Sequence, residues 1–189
     1  WAYQRSNYGY RNLRGHPLMV EFAGQPFIDV RVSFDSFIPA TLPSELASRL
    51  VDYYISTLVD LPEYHDKVEF EIVHSCHTFG IAERIHGLTD FGFSLSDLEQ
   101  LRTSLLQLTN QIIDPETGLW RDDWDRLKVL EIRRQEIVQS DLEIVSKIHW
   151  LLEDCRRYGT LPFAGLARCG FVARQLLDSM TDTDILESS

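Results

Sequence analysis

The sequence predicts a mostly helical α+β protein, with a small N-terminal strand layer followed by an antiparallel helical bundle. Apolar and polar residues alternate from Trp1 to about Thr78, whereas from Ser94 onward apolar residues recur at three- and four-residue spacing almost without a break. Gly and Pro punctuate these stretches and divide them into elements.

The first alternating series is Leu18, Val20 and Phe22, the second Ile28, Val30, Val32 and Phe34, and the third Val68, Phe70 and Ile72. Each is expected to be a strand. Ala23-Gly24-Gln25-Pro26 separates the first two and favours a turn, because Gly tolerates positive φ and Pro lacks a ladder donor. On the second strand Asp29, Arg31 and Ser33 then form a polar face, and on the third Glu69 and Glu71 share one. Between the last two strands a helix is expected from Pro43, where Leu46, Leu50, Tyr54 and Leu58 repeat every fourth residue until Pro62.

Ser94 opens the helical part, with a stripe of Leu98, Leu101, Leu105, Leu108 and Ile112 that ends before the turn-forming run Asp114–Gly118. A second helix is expected over Trp124–Val138. A third follows from the capping-box pair Ser140 and Glu143, and Gly159 is expected to stop it. The fourth begins near Pro162 and runs to Met180. Trp120, Trp124 and Trp150 fall at helical positions and are expected in the core. These spans give one domain, 1–189, with a mixed subregion (1–90), a helical subregion (91–180) and a polar tail (181–189). Residue 1 is Trp, which suggests a processed product or an excised interior piece of a larger protein.

Among 189 residues, 29 acidic side chains oppose 18 Lys and Arg, for a net charge of −11. Such a field repels phosphate backbones and anionic lipid, so neither nucleic acid nor a membrane is an expected partner. No apolar run approaches the roughly 18 residues that span a bilayer. Cys76, Cys155 and Cys169 lack paired C-x-x-C spacing. A reducing cytoplasm is the simplest location, with the three thiols as small apolar residues. Neither G-x-x-x-x-G-K-S/T nor G-x-G-x-x-G occurs, so this segment lacks those two glycine-rich phosphate loops.

His74-Ser75-Cys76-His77 holds metal-ligating and nucleophilic side chains, but on a strand His74 and Cys76 face away from His77. A strand end is the simpler reading, and no metal site is assigned. Arg11, Arg14 and Arg31 crowd a short stretch with His16 in an otherwise acidic chain. Guanidinium groups suit two-point recognition of carboxylate or phosphate, so an anion or a charged domain is expected to dock there. Structural ion pairs with Asp29, Glu21 or Asp35 are the alternative. Gly and Ala at 164, 165 and 167 lighten the helix start that carries Arg168. That run favours close helix packing, or backbone N–H groups facing a ligand.

Five segments, 2–4 with 8–11, 24–31, 36–39, 65–71 and 158–168, resemble the central region of phosphoenolpyruvate-synthase-like proteins, in the branch that includes the capsule-associated glutamine kinase. The resemblance implies a larger phosphotransferase that uses ATP and Mg, in which a nucleotide-binding domain and a swivelling phosphohistidine domain of the same chain serve a small-molecule acceptor. Neither mobile domain is legible here, and no His of this chain is carried over as the phosphocarrier. No cofactor is therefore expected within the segment. By position, the segment would bind the acceptor or dock the carrier, with Arg11, Arg14, Arg31 and Arg168 as the residues that meet negative charge. The competing expectation is a helical interdomain or protein-interaction module with no small-molecule site.

Overall fold

A computed structural model describes residues 1–187; the expected tail therefore lies partly outside the described residues, at 188–189. The element order is α1 (Ala2–Asn7), β1 (Met19–Phe22), β2 (Gln25–Ile28), α2 (Val30–Asp35), α3 (Ser44–Asp60), α4 (Val68–Glu71), α5 (Ile81–His86), α6 (Leu95–Ile113), α7 (Trp120–Gln139), α8 (Ile144–Asp154) and α9 (Leu161–Asp182). Helix dominates and the only sheet among the described residues is the antiparallel β1–β2 pair, so the fold is mostly helical α+β.

The first expected turn forms as read. Met19 pairs with Ile28 and Phe22 with Gln25, leaving Ala23 and Gly24 as a two-residue loop with φ of 51° and 77°. Positive φ at both positions matches the twist of the flanking strands. The hairpin is largely exposed and closes on itself through an edge contact between Phe22 and Phe27, with ring centroids 5.6 Å apart.

The second expected strand is corrected. It ends at Ile28, and Val30–Asp35 is the helix α2. The Asp29 side chain accepts a hydrogen bond from the Val32 backbone N–H at 3.0 Å and caps that helix, so the alternation through Val30 and Val32 marks one short turn. The third expected strand is corrected too. Val68–Glu71 is the single turn α4, closed by bonds from Phe70 N–H and Glu71 N–H to the Lys67 carbonyl. No neighbouring strand offers a ladder there, so the backbone satisfies itself locally.

The main core lies between α3 and α6. Leu46, Leu50 and Tyr54 pack with Leu98, Leu101 and Leu105, and α2, α5 and the loop after α4 add Phe34, Ile81, Ile85 and Val73. Burying each large aliphatic side chain contributes about 1.5–3 kcal/mol. A second cluster joins Tyr8, Tyr10 and Cys76 to Leu108, Ile112 and Val172. The apolar stripe of α6 thus serves both clusters and ties the N-terminal elements to α9. Its start carries a capping box: Ser94 accepts from Asp97 N–H, and the Asp97 carboxylate accepts from Ser94 N–H. At its far end Asp114 Oδ1 accepts from Glu116 N–H and Thr117 N–H, which forms the expected turn.

Ser140 and Glu143 do not form a capping box. Ser140 ends α7, with its hydroxyl donating to the Ile137 carbonyl, and Glu143 precedes α8 without a side-chain cap. Nor does Gly159 stop a helix. Residues Cys155–Thr160 form a π-helical turn that carries α8 directly into α9. Pro162 lacks the N–H that would bond the Tyr158 carbonyl, and a local change of register accommodates that loss. Trp124 and Trp150 are 53% and 43% exposed, so those two rings are not core residues.

Candidate functional site

The inward stripe of α9 holds Pro162, Gly165, Arg168, Val172, Gln175 and Ser179. Gly165 sits where α9 crosses α1 and α7. A Cβ there would overlap the Asp123 carboxylate and the Tyr8 ring. Tyr8 donates its hydroxyl to Asp123 Oδ2 at 2.7 Å, and burial pushes the Asp123 carboxyl up from its usual range. The small residue therefore lets α9 approach closely, with Arg168 one turn further along the same face.

Arg168 is 2% exposed. Its guanidinium pairs with Glu69 of α4, while Nε and Nη1 are buried without a hydrogen-bond partner. Arg5 of α1 converges on the same place. Its Cζ lies 4.3 Å from the Phe37 ring centroid and 5.7 Å from that of Tyr10, and Arg168 Cζ lies 5.8 Å from both. The aromatic faces offer each cation a favourable quadrupole. Arg5 Nη1 is also buried and unpartnered. Burial lowers the pKa of Arg5 and brings that of Arg168 down to about 10, which leaves Arg168 charged at neutral pH.

The environment is polar and fixed. Tyr10 donates its hydroxyl to the Ser75 carbonyl at 2.8 Å, and Gln175 Nε2 donates to Ser75 Oγ at 3.2 Å. Of the two guanidinium groups only that of Arg168 is paired with a carboxylate, which leaves an excess of positive charge and three N–H-bearing nitrogens without a partner. A buried donor without an acceptor costs about 1–3 kcal/mol, so this arrangement is suited to receiving an oxyanion.

Of the four arginines read from the sequence, only Arg168 lies here. Arg11 binds Asp35 at 2.6 Å, and Arg31 binds Asp52 at 2.7 Å with both side chains more than half exposed. Arg14 donates to Ser6 Oγ at 3.2 Å and lies over the Tyr3 ring. The expected N-terminal cluster is thus divided among separate surface contacts, and for Arg11 the ion pair with Asp35 is the one weighed from sequence. Arg5 was missed, as were Glu69 as an arginine partner and the rings of Tyr10 and Phe37. Tyr10, Phe37, Glu69 and Arg168 each lie in one of the five segments quoted above, and these four segments converge on this site, whereas Arg5 lies in none of them. The fifth, 24–31, forms β2 and the cap of α2.

His74 and Cys76 lie in an irregular buried stretch. Burial lowers the His74 imidazole pKa to about 3 and raises the Cys76 thiol to about 12, so the pair is neutral near pH 7. Glu69 and Glu71 diverge as well: Glu69 meets Arg168, while Glu71 lines a cleft of about 790 Å³ with Glu83, Arg84, Gln175, Asp178 and Asp182. Among the described residues no group of three or more His, Cys, Asp or Glu is placed to hold a metal ion, and no helix is long and apolar enough to cross a membrane.

No protein-family model matches the chain, and no curated protein or solved structure matches it.

Proposed function

We propose that this chain is the acceptor-binding or docking region of an ATP-dependent, cytoplasmic phosphotransferase of the phosphoenolpyruvate-synthase-like kind, with an amino-acid or glutamine kinase as the candidate parent. The observation that carries this reading is the buried Arg5–Arg168 pair, whose open donors and single carboxylate suit a negatively charged group. The family-like segments supply four sides of that site. Transfer requires the moving group to be held in place and its charge offset, and fixed guanidinium groups do both without reorganising. ATP and Mg belong to the nucleotide-binding domain of the parent, the phosphoryl group to its swivelling domain, and the isolated segment is inactive.

The test is steady-state kinetics of the full-length enzyme carrying Arg168→Lys, which keeps the charge but loses the planar fork. The acceptor KM is expected to rise about tenfold or more, in line with the loss of a charge-assisted bond, while ATP binding is unchanged. An unaltered acceptor KM and turnover in the folded variant would refute the assignment.

A second reading, an interdomain or protein-interaction module, has its own support on α8. Ile144, Val145, Ile148 and Leu152 share one helical face by spacing and are 71%, 73%, 52% and 66% exposed.

A further inference from the structure

We infer that Glu69 is an internal stand-in for the ligand and that α4 is the door of the arginine site. In the empty protein the Glu69 carboxylate occupies Arg168, and it gives way when an oxyanion, carboxylate or phosphate, arrives. The inference rests on the reading that the arginine pair receives a negatively charged group.

The site as it stands is closed. Arg168 is 2% exposed and its open nitrogens are shielded from water, so a ligand reaches them only if a neighbouring element moves. α9 is a 22-residue helix with six buried residues on its inner stripe, and moving it would disrupt the second core cluster. α4 is four residues long, is preceded by the exposed residues His65, Asp66 and Lys67, and has no buried residue. Besides the bond to Arg168, it is held by Val68 packed against the main core, by Arg84 Nη2 donating to the Phe70 carbonyl at 2.8 Å and by an edge contact of Phe70 with Phe171. Ile72 and Val73, both buried, fix the chain immediately after it. A four-residue turn with no fully buried side chain, beside a long helix with six, is the place where local opening costs least.

Chemistry explains why an exchange is favourable. Tethered through α4, Glu69 is bonded to Nη2 alone. A free oxyanion is able to take a two-point position on the guanidinium and reach toward Arg5, giving acceptors to donors that Glu69 leaves open. The cleft explains why α4 stays shut without ligand. Phe70 and Glu71 form part of its wall, and the carboxylates of Glu71, Glu83, Asp178 and Asp182 outnumber the single cation Arg84 along it, so a Glu69 carboxylate displaced toward the cleft meets a net negative lining.

Calorimetric titration of the 189-residue chain with inorganic phosphate, and separately with succinate, at constant ionic strength tests this. The wild-type chain is expected to bind at least one of the two anions, and the arm that responds identifies the chemistry. Glu69→Gln is expected to bind that anion about tenfold more tightly, because the internal competitor has lost its charge-assisted bond. Hydrogen exchange of the Phe70 and Glu71 amides is expected to speed up when the anion binds the wild-type chain. If Glu69→Gln does not fold, this exchange measurement decides alone. Unchanged or weaker affinity in a folded Glu69→Gln, or exchange at Phe70 and Glu71 that is unchanged or slower on binding, overturns the door while leaving the arginine site standing. Failure of the folded wild-type and Glu69→Gln chains to bind either anion overturns both.

Discussion

The surface arginines near the N-terminus and the arginine pair beneath α4 use the same side chain in opposite ways. Arg31 and Asp52 meet in water, where screening and side-chain entropy leave an ion pair worth about 0–1 kcal/mol. Arg5 and Arg168 are held against Tyr10 and Phe37 out of water, where each unmet donor carries a real cost. Local crowding of cations in sequence therefore says little about a binding site. What distinguishes the second region is that the fold brings two cations from distant elements together and does not neutralise both.

Three experiments probe the contrast between a tightly enforced interior and a forgiving surface. The largest expected stability change is at Gly165, which sets the approach of α9 to Tyr8 and Asp123. Gly165→Ala is expected to destabilise the chain by about 3 kcal/mol in urea denaturation, as overpacking does. A loss below about 0.5 kcal/mol would mean that α9 shifts freely and that the position of Arg168 is not enforced.

The next concerns His74, whose ring Nδ1 is buried without a partner and whose pKa is lowered to about 3 by burial. The unfolded chain protonates this imidazole below about 6.5 while the folded chain holds it neutral. Its stabilising contribution is therefore present above that pH and lost as pH falls from about 6.5 to 3, at up to about 1.4 kcal/mol per pH unit. His74→Gln is expected to flatten the stability profile in that window, as measured by urea midpoints at several pH values. An unchanged slope would place the ring in contact with water.

The fold was legible wherever an element was long. The four-residue spacing of Leu46, Leu50 and Tyr54 and the stripe from Leu98 to Ile112 gave α3 and α6, because a buried face repeated over several turns outweighs local preference. Gly24 gave the hairpin turn. The elements α2 and α4 were misread because they are only six and four residues long, and two or three apolar residues at alternate positions satisfy a strand pattern equally well. What decides them is the Asp29 cap in one case and the lack of a partner strand in the other. The π-helical passage through Gly159 was hidden for a related reason: Gly and Pro usually mark an end, and here the ladder changes register.

The site was legible only in part. Arg168 stood out beside small residues at a helix start, and one of them, Gly165, does allow close packing. Arg5 gave no signal, since one cation in a six-residue helix looks like any surface charge. The partnership of Glu69 with Arg168 spans 99 positions and no local pattern encodes it.

The smallest effects are expected from the surface arginines, and they serve as the control for the most direct measurement. Inorganic phosphate and succinate are titrated calorimetrically into the wild-type chain, into Arg168→Met and into the double variant Arg11→Gln with Arg31→Gln. The account predicts that Arg168→Met weakens anion binding by about 100-fold, the upper range for a charge-assisted bond, whereas the double variant stays within about twofold of wild type. The reverse order, with binding lost from the surface variant and kept by a folded Arg168→Met, would contradict the claim that the buried pair is where negative charge is received.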